Sequence, residues 1–200
     1  MTLRIAPLAA LAFLLGACQI NPITTPARSA TEEMLISAAA ERAADKLAGL
    51  LPADMGSVYI DASYFDQLDW KYAAGTIRAA VLRRGLRLTS DRVRADTILE
   101  IRVGALSIDK HKFLVGIPEF SLPFPLAGTL TFPEIAFYSA AQEQGVAKFA
   151  AVAYSAGTGA LVADRPPEFG YSHHLKRTVM LFVSWQEQNY QAEADKDPTE

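Results

Sequence analysis

The chain has 200 residues, 50% of them hydrophobic, a net charge of −3 and one cysteine. That length supports one domain with a substantial core. The mild acidity argues against nucleic acid or a general anionic surface as partner, and one cysteine leaves no disulfide within the chain.

The single basic residue Arg4 precedes an apolar run over residues 5–15, too short for a permanent membrane helix and shaped like a secretory signal. The run ends in Leu15-Gly16-Ala17-Cys18, which reads as a lipobox. Small residues at 16 and 17 admit a signal peptidase, and the Cys18 thiol accepts a diacylglycerol before its freed amine takes a further fatty-acyl chain such as palmitate. The expectation is a signal peptide over 1–17 and an exported bacterial lipoprotein starting at Cys18. Two or three acyl chains hold it to the membrane without any spanning segment. Gln19, rather than Asp, resembles an outer-membrane sorting signal, so the expected site is the periplasmic face of the outer membrane. Cleavage removes Arg4 and leaves 18 basic against 22 acidic residues, a net of −4.

Residues 18–28, with Asn21, Pro22 and Pro26 and no apolar period, read as a flexible tether. Ser29-Ala30-Thr31-Glu32 has capping-box spacing and opens a helix whose apolar residues recur every three or four positions until Gly49 and Pro52. Residues 57–61 form a strand. Asp66 can cap a second helix in which Trp70, Ala74, Ile77 and Val81 make one stripe that stops at Gly85. Short strand 86–89 follows, then alternating strand 97–108. Pairs 134–141 and 146–154 read as a hairpin around Gln142-Glu143-Gln144-Gly145, and 155–159 as a turn into 160–163. An irregular segment passing His173 and His174 then leads to a last strand, 178–185, and 186–200 is polar and acidic and reads as a disordered tail. The fold class expected is α+β: one domain over 29–185, a two-layer sandwich with both helices on one face of a mostly antiparallel sheet.

At this point the residues resemble a family. Residues 31–37, Val58-Tyr59-Ile60-Asp61, Gly116-Ile117-Pro118, Pro133-Glu134-Ile135 and Ala153-Tyr154 followed by residues 158–162 look like the blocks of an uncharacterised family of bacterial lipoproteins carrying a domain of unknown function. A fainter similarity, in Ala95-Asp96 and the Thr158-Gly159 turn, is to the curli-secretion-channel lipoprotein and the lipoprotein activators of penicillin-binding proteins. That resemblance implies an envelope accessory protein. The chain departs from the group by having Ser155 where an Asp opens the turn, and by the absence of long alternating hairpins in the pattern.

Catalytic constellations are thin. Asp61, Asp66 and Asp69 are better explained as a strand end and helix caps than as acid–base or cation-binding groups. Adjacent His173 and His174, even with His111, lack metal-ligand spacing. Ser155 lacks a G-x-S-x-G elbow. No catalytic residue, metal or cofactor is therefore assigned. Arg78, Arg83, Arg84 and Arg87, with Arg92 and Arg94, form a basic cluster at the end of the second helix. It is either a solvated face or a contact for phosphate head groups or an acidic partner.

Residues 110–133 break the pattern with Pro118, Pro123, Pro125 and Pro133, which exclude helix and disfavour a central strand. Phe113, Leu114, Phe120, Leu122, Phe124 and Leu126 crowd this region. Either they fold back over the sheet as an irregular lid, or the segment presents apolar surface to a partner or the membrane. We expect at least one of Phe120 and Phe124 to be exposed. The leading functional expectation is a lipid-anchored, non-enzymatic accessory or adaptor in envelope assembly, transport or secretion, with an envelope protein as partner. The alternatives are an envelope hydrolase or metal-dependent enzyme, and a binder of an apolar ligand in a cleft under the proline-rich segment.

Overall fold

The computed structural model describes residues 28–65, 69–124 and 128–190; Cys18, Asp66 and Leu126 lie outside these. Helix α1, Ala30–Gly49, opens as its spacing predicts. The Ser29 hydroxyl accepts the Glu32 backbone N–H while the Glu32 carboxylate accepts the Ser29 N–H. Strand β1, Ser57–Asp61, leads through helix α2, Trp70–Arg83, to β2, Arg87–Leu88. Asp69, not Asp66, is the N-cap residue of α2, and its side chain makes no capping hydrogen bond. The remaining strands are β3 (Thr97–Ile117), β4 (Phe120–Phe124), β5 (Gly128–Phe132), β6 (Ile135–Ser155), β7 (Leu161–Val179) and β8 (Val183–Gln188).

The two-layer α+β sandwich expected from the element order does not form. The molecule is mostly strand, a curled six-stranded mixed sheet forming half a barrel with two helices among the described residues. Its order is β2-β1-β3-β6-β7-β8, with β1 parallel to both β2 and β3 and the other pairs antiparallel; β4 and β5 form a separate two-stranded sheet. The discrepancy comes from strand length. β3 continues through 109–117, where four consecutive polar residues, Asp109 to Lys112, hide the alternation. β6 runs unbroken through Gln142-Glu143-Gln144-Gly145, the expected turn. β7 occupies the segment read as irregular. The chain reverses at 180–182, inside the expected last strand, and β8 carries ordered structure past Trp185 into the expected tail. Asn189 adds hydrogen bonds to Arg42 and to the His173 backbone N–H.

Gly145 is a packing position. A Cβ there would collide with the Leu35 carbonyl of α1 and the Ser172 hydroxyl, and one at Gly170 would collide with the Ala39 and Ala43 backbone. These two glycines and the small α1 residues Ala39, Ala40, Ala43 and Ala44 bring helix backbone directly onto β6 and β7. The buried Ser172 hydroxyl donates to the Leu35 carbonyl across the same contact, at 2.6 Å. Phe149, Leu99, Ile101, Val58, Leu47, Ile77 and Val81 fill the core between sheet and helices.

Helix α1, with 20 residues, is about 30 Å long, whereas 21-residue strands such as β3 and β6 reach about 70 Å. The helix therefore covers only part of the sheet. Its first turn ends level with Lys110, whose ammonium pairs with Glu32 and, at 3.3 Å, with Glu143. Beyond that row the strands continue with no helix over them.

Candidate functional site: the uncharged end of the sheet

The strand register makes the uncovered end orderly. Lys112, Ala141, Lys176 and Gln186 lie in one transverse row across β3, β6, β7 and β8. The next row is Phe113, Ala140, Arg177 and Trp185; then come Leu114, Ser139, Thr178 and Ser184, and after them Val115, Tyr138, Val179 and Val183. Successive rows face opposite sides of a sheet. One face beyond the boundary is therefore aromatic and aliphatic apart from Arg177, which pairs with Glu187 at 3.4 Å, and the other is mainly hydroxyl. Phe113 and Tyr138 meet edge to face at 6.1 Å.

The small sheet repeats this pattern. Phe120 pairs with Phe132 and Leu122 with Leu130, while Ser121 pairs with Thr131 and Pro123 with Thr129. Phe120 and Phe132 stack at 4.8 Å and the Ser121 and Thr131 hydroxyls hydrogen-bond at 2.9 Å. Pro118-Glu119 and Pro133-Glu134 separate this hairpin from β3 and β6, and Glu134 pairs with Lys112. β4 and β5 pack extensively on each other and not on the body. Proline in β4 is accommodated because the pair has free edges.

In place of the irregular lid, one of the two readings of residues 110–133, the described residues form a projecting hairpin. Phe120 is 42% and Phe124 45% exposed, so both rings face outward. Phe113 and Leu122 are exposed as well, and Leu114 is half-buried.

Residues missed from the sequence complete this end. Leu130, Phe132, Ile135 and Phe137 are exposed on the returning strands, Met180, Leu181 and Phe182 on the β7–β8 connection, and Val183 and Trp185 on β8. Met180 and Leu181 adopt φ values of 49° and 70°, a conformation usually left to Asn and Gly in such turns. Their backbone N–H groups donate to the carbonyls of Phe137 and Ala136 at 2.9 and 3.1 Å. Phe182 is 81% exposed. A turn built from Met and Leu carries no compositional signal, so the sequence pattern runs through it as strand.

The other candidate groups are held in structural roles. The Asp61 carboxyl lies below the usual aspartate range because Ser63 hydrogen-bonds it, aided by the Arg92 guanidinium against the cost of burial. Asp69 pairs with Arg28, and Asp66 lies outside the described residues. Arg83 pairs with Asp45, Arg84 donates to the Gly49 carbonyl at 3.0 Å, and Arg94 pairs with Asp91. Arg78 and Arg87 are exposed. The cluster thus ties the end of α2 to the C-terminus of α1, about 30 Å of helix away from the uncharged end. His174 contacts the Gln186 amide at 2.7 Å and the Tyr190 ring edge-on, and His111 is exposed on β3. Ser155 shapes its turn by accepting the Gly159 N–H at its carbonyl. Among the described residues no group of three His, Cys, Asp or Glu side chains could hold a metal, and no helix is long and apolar enough to cross a membrane.

The Glu32–Lys110 pair at the boundary has a pH signature. Lys110 beside it, with the Ser29 N–H, holds the Glu32 carboxyl below its ordinary range. A lowered folded pKa contributes stability that is fully present above the unfolded value, about 4.3, and is lost as pH falls through the folded one. Thermal melts from pH 6 to pH 2 should therefore show a shallower acid loss in Glu32→Gln than in the parent. Parallel curves would mean that the pair contributes nothing.

The model of a family of unknown function matches residues 14–165, a span that includes Cys18, both helices, the hairpin end and the first part of β7. No curated protein matches the chain.

Proposed function

Because the chain belongs to that family of unknown function, DUF6655, whose description supplies no activity, we propose from the geometry that it works by contact rather than catalysis. It is a lipid-anchored lipoprotein of the periplasmic face of the outer membrane, acting as an accessory or adaptor in envelope assembly, transport or secretion. The observation that carries this reading is the uncharged end: strands built past their helix cover, with aromatic and aliphatic side chains outward where a soluble surface would carry charge. Patches of this kind mark interaction sites. The lipobox at Cys18 supports the anchor, and the ion pairs of Asp61, Asp69, Arg83 and Arg92 give these charged groups structural work.

Replacing the acyl acceptor tests the anchor. Cys18→Ala should move the chain out of the detergent-extracted membrane fraction and abolish the acyl mass on the N-terminal peptide, while the melting temperature of the domain stays as in the parent. An unmodified Cys18 in the parent protein would contradict the proposal.

A further inference from the structure

We propose that the uncharged end is embedded in the lipid leaflet that carries the Cys18 acyl chains, with the β4–β5 hairpin lying in the interfacial region, apolar face toward the acyl chains. The inference rests on the lipoprotein reading for its orientation, and on the hairpin's own chemistry for the rest.

Four observations favour lipid over a protein partner. First, the last charged residues of four adjacent strands, Lys112 on β3, Glu143 on β6, Arg177 on β7 and Glu187 on β8, fall within four consecutive transverse rows. A band this narrow across a sheet fits a planar medium; a protein partner needs no such edge. Second, Trp185 and Tyr138 stand within three rows of that boundary, where amphipathic rings favour the membrane–water interface. Third, α1 begins level with Lys110, so the chain leading back to Cys18 leaves the body at the base of the uncharged end. The nine residues between Cys18 and Arg28 plus Arg28 itself can reach at most about 36 Å, which puts the acyl chains and the hairpin at the same membrane. Fourth, an isolated two-stranded hairpin is marginal in water, and β4–β5 rests on nothing else extensively.

The hairpin's form sets its depth. Its strand edges are open, so it cannot cross the hydrocarbon core alone, where unpaired backbone groups find no partner. Lying flat, it places Phe120, Leu122 and Phe132 in the acyl region and leaves Ser121, Thr131 and the strand edges to the head groups and water. The breaks at Pro118-Glu119 and Pro133-Glu134 put the two carboxylates at the bend, at head-group level.

Tryptophan substitution reads the two faces directly. In a Trp70→Phe, Trp185→Phe background, the full lipidated chain is reconstituted into phosphatidylethanolamine–phosphatidylglycerol vesicles, with either Leu122→Trp or Ser121→Trp as the sole tryptophan. With acyl chains brominated, Leu122→Trp should emit to the blue and be quenched about twofold more than Ser121→Trp. Equal quenching with water-like emission from both would overturn the proposal. Blue emission without quenching would also overturn it, because protein, such as a second copy, would then cover the face. Mass spectrometry of Cys18 on the same sample separates the two readings. An acylated chain with an unquenched hairpin sinks the embedding alone, and an unacylated chain with a quenched Leu122→Trp sinks the anchor alone.

Discussion

Gly170→Val is expected to destabilise the domain by about 3 kcal/mol or more, lowering the melting temperature by about 6–12 °C. No rotamer escapes the collision, because a Cβ at position 170 would meet α1 backbone at Ala39 and Ala43 rather than a side chain that can move. The helix would have to lift from β7, which would also break the Ser172–Leu35 hydrogen bond and loosen the contact beside Gly145. Gly157→Val is the matched control, since a Cβ there meets nothing. Denaturant or thermal melts of the two variants check this. Equal melting temperatures would mean that α1 does not sit directly on the sheet.

The second large effect is expected at the opposite end and in a different observable. Phe120→Ser with Phe124→Ser should leave the main unfolding transition within about 0.5 kcal/mol of the parent, as for surface substitutions, while contact with the envelope falls severely. Both rings are exposed, and the hairpin that carries them does not pack extensively on the core. The stacked Phe120–Phe132 pair is lost, but its loss loosens only the hairpin. Thermal melts of the purified double variant, beside membrane association of the Cys18→Ala form with and without the two serines, separate the effects. A fall of several kcal/mol would place the rings in a folded core and restore the lid.

Much of the helical half was legible because its signals are local. The Ser29–Glu32 box and the alanine-rich face of α1 each state their structure within one or two turns; the α2 stripe is right at Ile77 and Val81, but the buried face continues through Ala73 and Ala80 while Trp70 is exposed. The strands were harder. Gly145 looks like a turn residue in sequence, yet it is glycine because a helix 110 residues earlier in the chain lies against it, a contact no local window contains. Asp109 to Lys112 interrupt the alternation of β3 because α1 begins level with Lys110, leaving these four side chains exposed on both faces. The apolar crowd at residues 113–124 was visible from composition alone. Its partners at Leu130, Phe132, Phe137 and Phe182 were not, because only strand register brings them to one end. The prolines disfavour a central strand, and a two-stranded hairpin with free edges tolerates Pro123.

The central claim is that this protein acts through its uncharged end, and in-cell photocrosslinking tests it most directly. A photoreactive residue is placed in full-length, lipidated protein at Phe124, on the hairpin, and in a second version at Val93. Val93 is 92% exposed and lies just before β3 begins, at the other end of that strand. The account predicts abundant adducts to envelope components from position 124 and only background labelling from position 93. Equal labelling from both, or none from 124 in cells where the protein is membrane-bound, would contradict it.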